Sequence, residues 1–142
     1  RRIAFVWTAL TGMLCLLFST LAARQNAADV AWIEKDMVGT AKWAQENLPP
    51  NALLAVHDIG AIGYFDQHRI IDLAGLVSPD VVPFIRDQDQ IAAYLDQRGA
   101  DYLVTLPDFY PKLVAHLEPI YPPGGNCLPA SGEVTMCIYR WK

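Results

Sequence analysis

The 142-residue sequence is short of charge, and of positive charge above all. Charged residues make up 18%, and 11 Lys and Arg stand against 15 Asp and Glu. Beyond Arg1 and Arg2, 9 basic residues face 15 acidic ones, a net −6 from residue 3 onward. This argues against nucleic acid as a partner, because a phosphate backbone is held by basic surface. It argues equally against a domain lying flat on anionic lipid. The common signature loops are missing too. There is no GxGxxG with an acidic ribose partner at a strand end and no Walker motif, and neither Ser78 nor Ser131 lies in a GxSxG elbow. His57, Asp58, His68, Asp72 and His116 include no HxH and no HExxH, so their spacing is not that of a metal site. The three cysteines form no CxxC pair, which does not make a zinc site. No cofactor is expected in this segment, and no internal repeat or low-complexity tract occurs.

What the sequence does have is one long apolar run. Ile3 to Ala23 holds 21 residues without a charge, and a bilayer core needs roughly 20 in a helix. A signal peptide also has a basic start, and Leu21-Ala22-Ala23 loosely matches a cleavage site, but its apolar region spans only about 7–15 residues. A membrane helix over 1–24 is therefore expected, with a soluble unit over 25–142. Two arginines before the span and one after it place the N-terminal side in the cytoplasm and the soluble unit outside. The first residue is Arg1, not Met, and the span is expected to be the last of a longer chain.

Asp29 to Leu48 reads as an amphipathic helix, capped by Asp29 and separated from the span by a brief break near Gln25-Asn26. Val30, Ile33, Met37, Ala41, Ala44 and Leu48 recur at spacings of 3 and 4 and share one face. Trp32 and Trp43 lie off that stripe, on a core edge or at a membrane interface. Pro49-Pro50 stops the helix. Leu53-Leu54-Ala55-Val56 follows as a buried strand, and His57-Asp58 ends it. Ala61 to Phe65 is a short helix, and Arg69 to Leu73 a second strand. Asp87 opens a helix that closes at Arg98-Gly99. Tyr102 to Leu106 is a third strand. Leu117 to Tyr121 is a weak strand, edge-placed because of Pro119. Pro122 to Asn126 is a loop, and Glu133 to Trp141 the last strand, with Thr135, Cys137 and Tyr139 on one face and Val134, Met136, Ile138 and Arg140 on the other. Strand, short helix, strand in so few residues suggests a parallel arrangement. The expected fold is α/β: a small, mostly parallel sheet of about five strands flanked by helices, preceded by one transmembrane helix.

The pattern His57-Asp58-Ile59-Gly60-Ala61-Ile62-Gly63-Tyr64, then Asp72-Leu73-Ala74-Gly75-Leu76, with Gly99 to Val104 as a further match, resembles the C-terminal extracytoplasmic domain of bacterial GT-C-type membrane glycosyltransferases. These are related to protein mannosyltransferases and lipid A aminoarabinose transferases. The likeness runs from about Trp32 to Tyr110. It implies a polyprenyl-phosphate-linked sugar donor and inverting transfer on the outer side of the membrane. The family's catalytic acid lies in an early outward loop, before this region, so no catalytic residue is expected here. The resemblance leaves open whether the parent enzyme uses a divalent metal.

Within the soluble unit, His57, Asp58, Tyr64 and Asp72 are the candidate ligand-binding residues. Asp58 and Asp72 end successive strands, where open α/β sheets bind ligands. They form a carboxylate pair suited to glycoside chemistry, or else Asp58 caps the next helix and Asp72 completes a turn. Tyr64, Phe65, Phe84, Phe109 and Tyr110 line a sugar cleft or pack in the core and rim. In an outward-facing domain Cys127 and Cys137 form a disulfide; otherwise they are two buried thiols. Cys15 lies in the span. The expected partners are membrane lipid, the transmembrane part of the same chain, and a glycan or protein acceptor. Three functions fit: the transferase segment, in which this domain shapes an acceptor site or supports the membrane part; a membrane-anchored, non-enzymatic binding or assembly module; and a secreted hydrolase using Asp58 and Asp72.

Overall fold

The computed structural model describes residues 1–122, 127 and 135–141. The chain divides into two compact units, Arg1–Glu34 and Lys35–Lys142.

The first unit is helix α1 (Arg2–Ile33), which buries none of its residues. At 1.5 Å per residue it is about 48 Å long, against a hydrocarbon core of about 30 Å. It is long and apolar enough to cross a membrane. The helix does not pause at Gln25-Asn26, and Asp29 lies inside it rather than at its start. Ala22, Ala23, Ala27 and Ala28 flank that point, and no proline interrupts them, so the backbone has no reason to leave the helical path.

A π-helical turn, Glu34–Val38, begins on the last residue of the first unit, and α2 (Gly39–Asn47) follows in the second. A π turn inserts one extra residue into the helical repeat. Ala41, Ala44 and Leu48 of the stripe are buried, while Val30 and Ile33 are exposed. The rest of the unit is β1 (Leu53–Val56), α3 (Ile59–Phe65), β2 (Arg69–Asp72), a 3-10 turn (Pro79–Phe84), α4 (Gln88–Arg98), β3 (Tyr102–Thr105), a 3-10 turn (Pro107–Phe109), α5 (Pro111–Val114), β4 (Glu118–Tyr121) and β5 (Cys137–Arg140). Asp87 caps α4 by accepting from the amides of Asp89 and Gln90, and Gly99 ends it in the left-handed conformation.

The strands form one sheet in the order β2-β1-β3-β5-β4. The sheet is mixed, not mostly parallel. β1 pairs in parallel with β2 and β3, but β5 is antiparallel to both β3 and β4. Parallel neighbours require a crossover, usually a helix, and β5 instead returns after a Pro- and Gly-containing link. β4, with Pro119, is an edge strand.

Alternation along the strands builds two hydrophobic layers. Leu54, Val56, Val104, Met136 and Ile138 pack on one side with Ala41, Ala44 and Leu48 of α2 and Ile62 of α3. Leu53, Ala55, Ile71, Leu103, Cys137 and Tyr139 pack on the other with Ile91 and Leu95 of α4 and Leu113 of α5. β1 is buried along its whole length, as a strand covered on both faces must be. A disulfide joins Cys127 to Cys137 of β5. Val134 and the Pro123–Asn126 part of the predicted loop lie outside the described residues, as does Ser131. His68 ties the start of β2 to the end of α2: one ring nitrogen meets the Asp66 carboxylate and the other the Pro49 carbonyl at 2.9 Å.

Leu54 is fully buried at the centre of the sheet. Leu54→Ala should destabilise the chain by about 2–5 kcal/mol, through lost burial and the cavity left behind. Denaturant unfolding of the purified chain, followed by tryptophan fluorescence, measures it; a change within experimental error would show that this layer does not carry the fold.

Candidate functional site at the carboxyl ends of the parallel strands

The chain leaves β1 to pair on one side with β2, then crosses to place β3 on the other side. The loops after β1 and β3 therefore diverge, and the crevice they open is where α/β sheets bind ligands. His57 occupies this position. Its backbone amide still donates to the Val104 carbonyl at 3.2 Å, so the residue is held as a continuation of the strand. Its half-buried ring meets two side chains from the loop after β3. Phe109 packs against it at 4.3 Å between ring centroids, and Tyr110 Oη lies 2.9 Å from Nδ1.

Burial lowers the His57 pKa, with the nearby Asp58 and Asp72 carboxylates opposing the shift. The Tyr110 hydroxyl is pushed up to about 12, by burial first and then by Asp72. At neutral pH a neutral imidazole thus faces an intact phenol. Tyr110 Oη meets no acceptor other than His57 among the described residues. Its proton is best used on Nδ1, which places the imidazole proton on Nε2.

Asp72 sits at the end of β2 and is fully buried. Its Oδ1 accepts from the amide of Ala74 at 2.8 Å and its Oδ2 from that of Val77 at 2.7 Å, while its own amide donates to Ser78 Oγ at 3.0 Å. The carboxylate thus holds the loop from Leu73 to Ser78 in shape. Gly75 takes φ +78° at the tightest point, and a Cβ there would come within 2.7 Å of Val82 Cγ2. Outside it, Leu76 is 77% exposed and Val77 61%. Asp58 is the N-cap of α3, its Oδ1 accepting from the Gly60 amide at 3.0 Å.

Of the four residues singled out from the sequence, His57, Asp58 and Asp72 come together, coupled through charge at the strand ends. Both carboxylates do structural work, as cap and as loop organiser. Tyr64 is 82% exposed in the last turn of α3, its ring edge-on to Phe65 at 4.7 Å. It has no hydrogen bond or ring contact with the other three. Phe109 and Tyr110 are the residues that sequence reasoning placed only as general aromatics. The available signal was positional: they follow the strand that flanks β1 on the other side. Among the described residues no group of three or more His, Cys, Asp and Glu could hold a metal ion.

Residues 22–139 match a domain of unknown function (DUF8728), and the chain belongs to that family. No curated protein and no solved structure matches it.

The His57–Tyr110 pair makes a titration prediction. In Tyr110→Phe the hydrogen bond to neutral imidazole is lost, so the His57 midpoint should rise. In Asp58→Asn a carboxylate that favours the imidazolium is lost, so it should fall. NMR titration of the ring protons reads both, and an unchanged midpoint in Tyr110→Phe would show that no such bond forms.

The same shifts set a stability window. The folded-state pKa of His57 is depressed, so its contribution is complete above the usual 6.5 and is lost as pH falls through the folded value. That of Tyr110 is raised, so its contribution is complete below 10 and is lost as pH rises through about 12. Stability against denaturant should therefore decline on both sides of neutrality, and Tyr110→Phe should make the alkaline limb shallower without removing it, because burial pushes Tyr139 up to about 12 as well.

Proposed function

We propose that this chain is the C-terminal part of an integral-membrane glycosyltransferase that uses a polyprenyl-phosphate-linked sugar donor. In this reading α1 spans the membrane and the α/β unit lies on the extracytoplasmic side, where it assists acceptor binding or supports the membrane part. One observation carries the reading. The residues that bear the resemblance, His57 to Tyr64 and Asp72 to Leu76, do more than fill a core; they supply the end of β1, its helix cap and the loop stapled by Asp72. A shared core would require only apolar residues of suitable size, whereas these build the crevice where α/β sheets bind ligands. The apolar length of α1 supports the membrane part. The disulfide supports an oxidising compartment.

A second reading, a membrane-anchored non-enzymatic binding or assembly module, is favoured by the engagement of Asp58 and Asp72 in local structure. With both Asp72 oxygens held by loop amides and the side chain fully buried, the two do not form the carboxylate pair that the hydrolase chemistry weighed from the sequence needs. The two readings part in the full-length polypeptide that contains this chain. Purified into nanodiscs and given a polyprenyl-phosphate sugar, it should transfer, and His57→Ala should raise the acceptor KM by about tenfold with kcat little changed. Absence of transfer by the unaltered polypeptide would leave the binding module. Sidedness is read separately, in a Cys15→Ser background, with a membrane-impermeant maleimide on Gln97→Cys in intact cells; protection from the outside would overturn the extracytoplasmic placement.

A further inference from the structure

The three loops that follow β1, β2 and β3 share a composition. From His57 to Phe65, from Leu73 to Phe84 and from Thr105 to Tyr110 there is no Lys or Arg, while Asp58, Asp80 and Asp108 are present. Within these segments a phosphate or other anion would meet carboxylates and no cation, the Lys42 ammonium lying outside them over the Phe65 ring. The donor lipid's phosphate is therefore poorly suited to this rim. The rim still offers directed polar groups. Tyr110 holds the His57 ring by Nδ1, leaving Nε2 with no partner among the described residues. Asp58 spends Oδ1 on the Gly60 amide and has Oδ2 to spare. Beside His57, Phe109 packs on the imidazole at 4.3 Å between ring centroids and is 48% exposed.

A donor N–H, an acceptor carboxylate and a half-exposed aromatic ring define a ligand that is apolar on one side and rich in neutral hydroxyls at its edge. Sugar rings have that build: axial C–H groups form one face, and vicinal hydroxyls both accept from N–H and donate to carboxylate. We infer that His57, Asp58 and Phe109 form a recognition site for a neutral sugar ring, Phe109 stacking on its C–H face while His57 Nε2 donates to, and Asp58 Oδ2 accepts from, its hydroxyls. The inference rests on the acceptor-side reading above and gives that acceptor a chemical class: glycan, not lipid phosphate. The neutral state of His57 suits it, since an uncharged donor selects hydroxyl over anion.

Binding tests it without any transfer assay. Saturation-transfer difference NMR on the complete chain in nanodiscs uses the methyl glycosides of mannose, galactose, arabinose and N-acetylglucosamine as probes at millimolar concentration. At least one should receive saturation on its ring protons. Phe109→Ala and His57→Ala should each weaken the signal by about fivefold to tenfold. Phe109→Trp, which keeps a stacking face, should retain it, and Gln97→Ala on α4 should leave it unchanged. Inorganic phosphate should not compete. Circular dichroism confirms that each variant is folded. Saturation transfer from none of the glycosides, a signal indifferent to Phe109→Ala in folded protein, or displacement by phosphate would overturn the inference. Sugar binding without transfer would keep this site and remove the transferase reading; transfer without sugar binding would do the reverse.

Discussion

A carboxylate with no exposed surface must be surrounded by donors, because an unpaired buried charge costs several kcal/mol. Asp72 meets that requirement with the backbone of its own loop: the amides of Ala74 and Val77 donate to its two oxygens, while its own amide donates to the Ser78 hydroxyl. Much else follows from this arrangement. The loop has to turn back at once, which calls for the left-handed Gly75, and Val82 closes over the glycine so tightly that a side chain would not fit. The loop's hydrophobic residues, Leu76 and Val77, are left facing outward. The same charge lies near enough to His57 and Tyr110 to influence both. One side chain thus shapes the rim and sets part of its electrostatics.

The rest of the site is a matter of neighbours. His57 and Asp58 arrive from β1, Phe109 and Tyr110 from the segment after β3, and they meet because the two parallel strands are adjacent and their connections diverge. The two apolar layers keep these strands level with one another. A shift of one residue in β1 would exchange Leu53 and Ala55 with Leu54 and Val56 between the two layers and undo the packing of both. Rigidity beneath the crevice comes from that constraint.

Local chemistry made much of this legible in the sequence. Pro49-Pro50 marked the end of a helix, Asp87 and Gly99 marked both ends of another, and alternation sorted Cys137 and Tyr139 from Met136 and Ile138. Pro119 pointed to an edge strand, and β4 is one. Strand direction was not legible, because a period of two is the same in parallel and antiparallel pairs; hence the mixed sheet. Nor was the unbroken course of α1, where polar Gln25 and Asn26 suggested a pause that their alanine neighbours do not permit. At the site, Asp58 and Asp72 could be read because each is tied to residues close in sequence. The His57–Tyr110 contact spans 53 positions and leaves no local trace.

The placement of β5 between β3 and β4 bears on biogenesis. A ribosome delivers β4 before the strand that joins it to the rest of the sheet, and Pro119 deprives it of one backbone donor for any substitute partner. Until β5 emerges, β3 and β4 both present open edges, and such edges invite pairing with other chains. A nascent domain of this topology completes its sheet only after β5 has emerged, so a holding factor that shields exposed strands would act on β3 and β4 together.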